Sequence, residues 1–343
     1  MKTFLPFFLF TVLLISSCSK EESIAKMLDQ AGLLMYQCDS FNGATDCDGI
    51  YYNSLRGNGS DLYLSQDNYN YLAWSPNGKL AYKLRKDVPI SIRSLNGQKE
   101  QLFFYNDEQL NDMTWSANGR FLCYVSGWQG PLRVLDMEGN EAVELHSAMA
   151  SVDSGRLENP QLSAQGNCLL FYHNRTPNGS DLYHYDFQSQ ETVLVSTTKN
   201  ASPGRALWTK DESGILLVRG DSLLRYDVAS AQEEFLLREV LMSSRLHLSP
   251  DGRQLAYLQN SVNGGLGLSV LDLETKRTIF VDKVLSRQLT WSEDSKQLIY
   301  AVPRAVRGAT HVKAKDLQEP NRPPALIFQL NSPNIRDIHW FFN

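Results

Sequence analysis

The sequence predicts an all-β fold, a seven-bladed β-propeller of four-stranded blades, on three observations. A strand–turn–strand pattern recurs six times along the 343 residues, most clearly at Tyr71–Tyr82, Met113–Tyr124, Leu246–Tyr257 and Leu289–Tyr300, and in shorter form at Gln161–Gly166 and Leu207–Gly214. The anchors Ser75, Ser116, Ser163, Thr209, Ser249 and Ser292 are separated by 41, 47, 46, 40 and 43 residues, the spacing of propeller blades. The chain then ends on Asp337-Ile-His-Trp-Phe341, a further copy of the pattern's opening, with Trp340 49 residues beyond Trp291.

Taken from the start, Met1 and Lys2 precede an apolar run from Phe4 to Ile15. That run is too short for a stable membrane span and suits a signal segment. It ends Ile15-Ser16-Ser17-Cys18, which resembles the bacterial lipobox, and the resemblance implies a signal peptide over 1–17 and lipidation at Cys18. Lys20-Glu21-Glu22 resembles the surface-export signal of Bacteroidetes lipoproteins, so the expected location is the cell envelope, lipid-anchored at the outer membrane, on either its periplasmic or its outer face. Residues 18–49 read as a tether plus a short amphipathic helix, with Ile24, Met27, Leu28, Leu33, Leu34 and Met35 on its apolar side over Ile24–Gln37. That helix either rests on the propeller or recruits a partner. Cys38 and Cys47 flank a Gly/Asn/Asp-rich loop and suit a short disulfide in an oxidising compartment, whereas Cys123 and Cys168 sit inside apolar strands and read as buried thiols. The nearby Asp39, Asp46 and Asp48 lack regular Ca²⁺-ligand spacing and read as a solvated turn.

The propeller is expected over 50–343, with blades starting near 50, 71, 112, 159, 205, 245 and 288 and closure by 336–343. In each repeat the apolar-Trp-Ser stretch is an inner strand. The Asn/Asp-Gly turn after it uses glycine for positive φ, and the alternating run that follows is the second strand. Asn58–Tyr63 recurs letter for letter as Asn178–Tyr183 and reads as a third strand, with weaker copies at Leu132–Asp136, Leu224–Asp227 and Leu268–Asp272. Segments such as Glu191–Val195 and Arg277–Val281 read as the outer strand. Ile50–Tyr63 lacks an inner strand, so the C-terminal residues are expected to complete the first blade and remove an open sheet edge.

Trp-Ser-Pro-Asn-Gly at Trp74–Gly78, followed by Asp-Leu-Tyr strands, resembles the WD40-like repeats of the TolB family over about residues 50 to 343. The pattern departs where Leu162 and Leu248 replace the tryptophan and where Ser163–Gly166 lacks Pro-Asp. The family's separate leading domain has no counterpart in the roughly 30 residues before the repeats, so its partners do not carry over.

Net charge is −5 with no Lys/Arg-rich block, which argues against a nucleic-acid ligand. Gly-x-Ser-x-Gly, HExxH, phosphate loops and Cys/His metal spacings are all missing from the sequence, so no metal or cofactor is expected and no hydrolase domain is read after the ring. Arg156, Arg205, Arg245, Arg287 and Arg336 precede inner strands at related repeat positions, with Asn70, Asn111 and Asp112 at the matching places in two other blades. Guanidinium forks gathered at a channel mouth suit carboxylates, phosphates or sulfates, or else pair with neighbouring acids. His247 and His339 share a repeat position on inner strands and read as packing or hydrogen-bonding residues in preference to metal ligands. These features together predict a non-catalytic envelope lipoprotein that binds or scaffolds an envelope protein or an anionic glycan or peptide. The alternative is a propeller-fold lyase or hydrolase acting on an acidic polysaccharide.

Overall fold

The computed structural model describes residues 33–38, 49–54, 61–65, 71–83, 90–95, 101–103, 110–126, 131–138, 142–145, 156–174, 179–198, 206–241, 245–260, 265–284, 288–303, 309–330 and 335–341. Among them the chain is an all-β propeller. Its strands, in chain order, are β1 (Leu33–Cys38), β2 (Gly49–Ser54), β3 (Asp61–Ser65), then β4 (Tyr71–Trp74), β5 (Lys79–Lys83), β6 (Ile90–Ser94) and β7 (Gln101–Phe103). Next come β8 (Leu110–Trp115), β9 (Phe121–Ser126), β10 (Leu132–Asp136) and β11 (Ala142–Leu145), followed by β12 (Arg156–Leu162), β13 (Cys168–Asn174), β14 (Ser180–Asp186) and β15 (Thr192–Thr198). The remainder are β16 (Ala206–Trp208), β17 (Gly214–Arg219), β18 (Ser222–Asp227), β19 (Glu233–Leu237), β20 (His247–Leu248), β21 (Gln254–Asn260), β22 (Leu266–Asp272), β23 (Thr278–Val284), β24 (Leu289–Trp291), β25 (Gln297–Pro303), β26 (Thr310–Asp316), β27 (Ala325–Leu330) and β28 (Ile335–Phe341). Six four-stranded sheets are each built from four consecutive strands, beginning at β4, β8, β12, β16, β20 and β24. A further four-stranded sheet is composite, in the order β28-β1-β2-β3.

The expected architecture is corrected at its N-terminal end. No helix occurs among the described residues, and Leu33–Cys38, part of the expected helix, is strand β1 between β28 and β2. Its run Leu-Leu-Met-Tyr is apolar at every position, and a strand flanked on both sides needs no polar alternation; such a run cannot be told from a helix by periodicity. Met35 is fully buried. With β1 supplying a second strand, the hexapeptide shared by 58–63 and 178–183 takes two ranks: it feeds the outer strand β3 in the composite sheet but the third strand β14 in another. Local sequence specifies a strand, and the strands before it decide its rank.

Successive sheets are joined through their first strands, since β4 touches β8, β8 touches β12, β12 touches β16, and β24 touches β28. The tryptophans explain part of this. Trp115 Nε1 donates to the Ala73 carbonyl at 3.0 Å, Trp208 to Gln161 at 3.2 Å and Trp291 to His247 at 3.1 Å, each reaching the preceding sheet. Trp74 lies against His339, their ring centroids 6.1 Å apart, so β4 meets β28 across the closing seam.

The recurring Ser/Thr after each tryptophan position is a buried hub. Ser249 Oγ donates to Asp251 at 2.6 Å and accepts from Gln254 N at 2.9 Å; Ser292 and Thr209 do the same with Asp294 and Gln297 N, and with Asp211 and Gly214 N. The left-handed turn position that follows belongs to glycine at Gly78, Gly119, Gly166 and Gly252. At Gly166 an added Cβ would come within 2.1 Å of the Phe121 ring. Glu212 and Ser295 hold the same position at φ 57° and 60°, and each uses its side chain to accept a backbone N–H of the preceding sheet, from Gln165 at 2.8 Å and Asp251 at 3.0 Å. Ser249→Ala leaves the Gln254 N–H and the Asp251 carboxylate short of a partner and is expected to cost about 1–3 kcal/mol in denaturant unfolding.

The aspartates of these turns have carboxyls below the ordinary range. Hydroxyl bonds from Thr209 and Ser292 hold Asp211 and Asp294 down, and backbone N–H groups of Ser189 and Thr275 hold Asp186 and Asp272 down. A carboxyl depressed in the folded state stabilises the protein above its unfolded pKa, near 4, and that contribution is lost as pH falls through the folded value. The thermal midpoint is therefore expected to fall progressively below about pH 4, read by circular dichroism; a midpoint flat down to pH 2 would contradict this.

Candidate active site in the axial channel

The first strand of each sheet lies nearest the axis, and its residues alternate in burial. At the position just before the tryptophan or its replacement, Thr114, Gln161, Leu207, His247, Thr290 and His339 are half-buried, whereas Ala73 is buried. Their neighbours Met113, Pro160, Ala206, Leu246, Leu289 and Ile338 are buried. Two residues earlier, Asp112, Asn159, Arg245 and Gln288 are again half-buried. Side chains two apart on a strand share a face, so the residues just before the tryptophan positions lie on the face opposite the indoles, toward the following sheet, as His339 does against Trp74.

The tight turns joining first to second and third to fourth strands share one end of the ring, tied together by bonds such as Val228 N to Ser213 O at 3.0 Å and Leu273 N to Arg253 O at 2.9 Å. Arg245 lies at the other end, where the chain enters a first strand. Arg156 opens β12 and is already engaged: its Nε lies 3.0 Å from Glu158 Oε1, and Asn174 Nδ2 donates to the same oxygen at 3.3 Å. Arg336 is placed by its backbone in β28, while Arg205 and Arg287 lie outside the described residues. Of the expected arginine set, Arg245 is therefore the member that the structure brings to the same strand segment as His247. His339 is on β28, two sheets away around the ring, with β24 between. Cys38 ends β1 opposite Gly49 and Ile335; Cys47 and Cys18 lie outside the described residues.

Among the described residues the thiols of Cys123 and Cys168 are held in their protonated form. Burial pushes Cys123 well up, with the Asp112 charge adding to it, and burial beside Asp186 pushes Cys168 up to about 12. Asp112 Oδ1 accepts the Met113 N–H at 3.0 Å. Among the described residues no group of three His, Cys, Asp or Glu is placed to hold a metal ion. Gln161, Gln288 and Thr114 went unnoticed in the sequence, although counting one and three residues back from each tryptophan position locates all three.

No family model matches the chain. The chain shares 24% identity with human acylamino-acid-releasing enzyme over 237 residues, 57% of this chain and 32% of that enzyme, and 23% with the pig enzyme over 253 residues, 59% and 33%. It thus spans about a third of the length of the curated relatives it matches. Among solved structures it is similar to TolB from Acinetobacter baumannii (TM-score 0.54, 16% identity, 78% of this chain and 68% of that one) and to the periplasmic gluconolactonase of Pseudomonas aeruginosa (TM-score 0.57, 15% identity, 90% and 99%). At these identities the structural likenesses establish the propeller fold. The expectation of a non-catalytic binding or scaffolding protein is overturned by the curated relatives, which are enzymes. Missing catalytic signatures argue only against the domains that carry those signatures; polar groups spread one per blade leave no local motif.

Proposed function

We propose that the chain is a hydrolase that works in its axial channel on an anionic acyl compound. What supports this is one juxtaposition: Arg245 and His247, two residues apart and both half-buried, stand where the chain enters β20, in a chain whose curated relatives release acylamino acids. A guanidinium fork binds a substrate carboxylate or phosphate bidentately. An imidazole beside it takes a proton from the attacking water and returns it to the departing alcohol or amine as the acyl bond breaks.

The test is hydrolysis by the purified protein of a panel holding a sugar-acid lactone, an N-acylated amino-acid amide and an acidic polysaccharide, each beside its uncharged analogue. Turnover of an acyl member, faster for the charged form, is the expected result; no turnover of any acyl member contradicts the proposal, and cleavage of the polysaccharide alone moves the substrate to acidic glycans.

We further propose that Cys18 carries the lipid and holds the propeller at the cell envelope, on either face of the outer membrane. Several acyl chains at about 0.8 kcal/mol per buried methylene anchor almost permanently. Labelled palmitate should enter the wild-type chain and not Cys18→Ser.

A further inference from the structure

We propose a second ligand site on the tight-turn end of the ring, in the seam between the sheet of β16–β19 and that of β20–β23, that binds an amphipathic carboxylate. A cleft of about 540 Å³ opens there, within the range that holds small ligands. Its floor is apolar, formed by Leu216, Leu236 and Leu273, and its walls carry Arg225 and Arg253.

Two departures from the repeat account for the cleft. Counting two residues back from the last residue of the third strand gives Ile92, Val134, Val270 and Ala314 in four sheets, and Ile92, Val134 and Val270 are buried aliphatic residues. The fifth sheet places Arg225 at that position. A guanidinium in a place suited to valine loses hydration, which needs compensation. Its partners among the described residues are incomplete: one Nη donates to Ser213 Oγ at 3.2 Å, while the buried Nε has no acceptor. The corresponding residue of the sheet before, His184, packs edge-on against Trp208 of the next sheet, ring centroids 5.2 Å apart. In the seam that Arg225 faces, the tryptophan position holds Leu248, which belongs to the same apolar cluster as Leu216, Leu236 and Leu273. Leu248 in place of an indole leaves the apolar cluster beneath the cleft with a smaller side chain, and an arginine in place of a valine gives the cleft a charge.

Two of the three acids lining the cleft, Asp211 and Asp251, are bonded within their own turns. The Asp211 carboxylate accepts from Thr209 and Ser213, and that of Asp251 from Ser249 and the Arg253 backbone N–H. Lys210 Nζ donates to the Pro250 carbonyl at 2.6 Å, and Lys276 pairs with Glu234 at 2.9 Å. The guanidinium groups of Arg225 and Arg253 meet the cleft above a floor of leucine, with the exposed Glu274 at its rim. A carboxylate with a short aliphatic tail fits both: its head on the forks, its tail on the floor.

The experiment is titration calorimetry of the full chain with octanoate, with octylamine as the control of opposite charge. Saturable octanoate binding without octylamine binding is expected, weakened about tenfold by Arg225→Gln and by Arg253→Gln. Arg253 is exposed, so its variant folds even if Arg225→Gln does not. Absence of octanoate binding, equal binding of octylamine, or an affinity unchanged in Arg253→Gln overturns the site. Loss of binding in Arg245→Gln with none in Arg253→Gln also overturns it and assigns octanoate to the axial channel.

Discussion

Deleting residues 335–343 is expected to leave a chain that no longer unfolds in one cooperative transition. β28 forms the inner edge of the composite sheet and pairs with β1 from Leu33↔Phe341 to Cys38↔Ile335. Ile335 and Ile338 are buried in a cluster with Ile299, Ala301 and Val312 of the neighbouring sheet. Two buried isoleucines contribute about 2–3 kcal/mol each, and removing the strand also strips β1 of a hydrogen-bonded neighbour and opens a sheet edge to aggregation. A loss of about 5 kcal/mol or more rivals the whole stability of a typical domain. Ile338→Ala is the gentler version and should cost about 2–5 kcal/mol. Urea unfolding followed by tryptophan fluorescence reads both; a truncated chain that keeps the wild-type midpoint would mean that the ring does not depend on β28.

The second large effect is on turnover. His247→Ala is expected to lower kcat for the best acyl substrate about 10²–10⁴-fold, the usual contribution of a positioned acid or base. Arg245→Gln should instead act mainly on KM, because it removes an anchor for the substrate's charge and not the proton carrier. His247 also accepts the Trp291 indole N–H through its backbone carbonyl, which any residue at 247 retains, so the alanine variant should keep its fold. Unchanged kcat in folded His247→Ala would remove the imidazole from the mechanism and leave the channel as a binding feature alone.

Much of the fold is legible because the repeat writes its physics into a few residues. The Trp-Ser-x-Asn/Asp-Gly stretch carries an indole bond to the preceding sheet, a hydroxyl hub and a left-handed turn, and all three follow from the residue types. The chain's opening is not legible in this way. Leu33–Cys38 becomes a strand because β28, some 300 residues later, lies beside it, and no local pattern announces that partner. The shared hexapeptide of 58–63 and 178–183 misleads for the same reason: pairing order, set at a distance, gives it different ranks. The site was half legible. Arg245 and His247 stand out by residue type, whereas Gln161, Gln288 and Thr114 look ordinary until the alternation of burial places them on the half-buried face. Leu248 and Arg225 were hardest to read, since each matters through the residue that it replaces.

Hydrogen–deuterium exchange across β1 and β28 tests ring closure, on which the axial channel depends, most directly. Amides of Leu33–Cys38 and Ile335–Phe341 should be protected to the same level as those of the central strands β13 and β25. Exchange of these two segments at the rate of an unstructured chain, with β13 and β25 still protected, would contradict a closed ring and with it a channel-centred hydrolase.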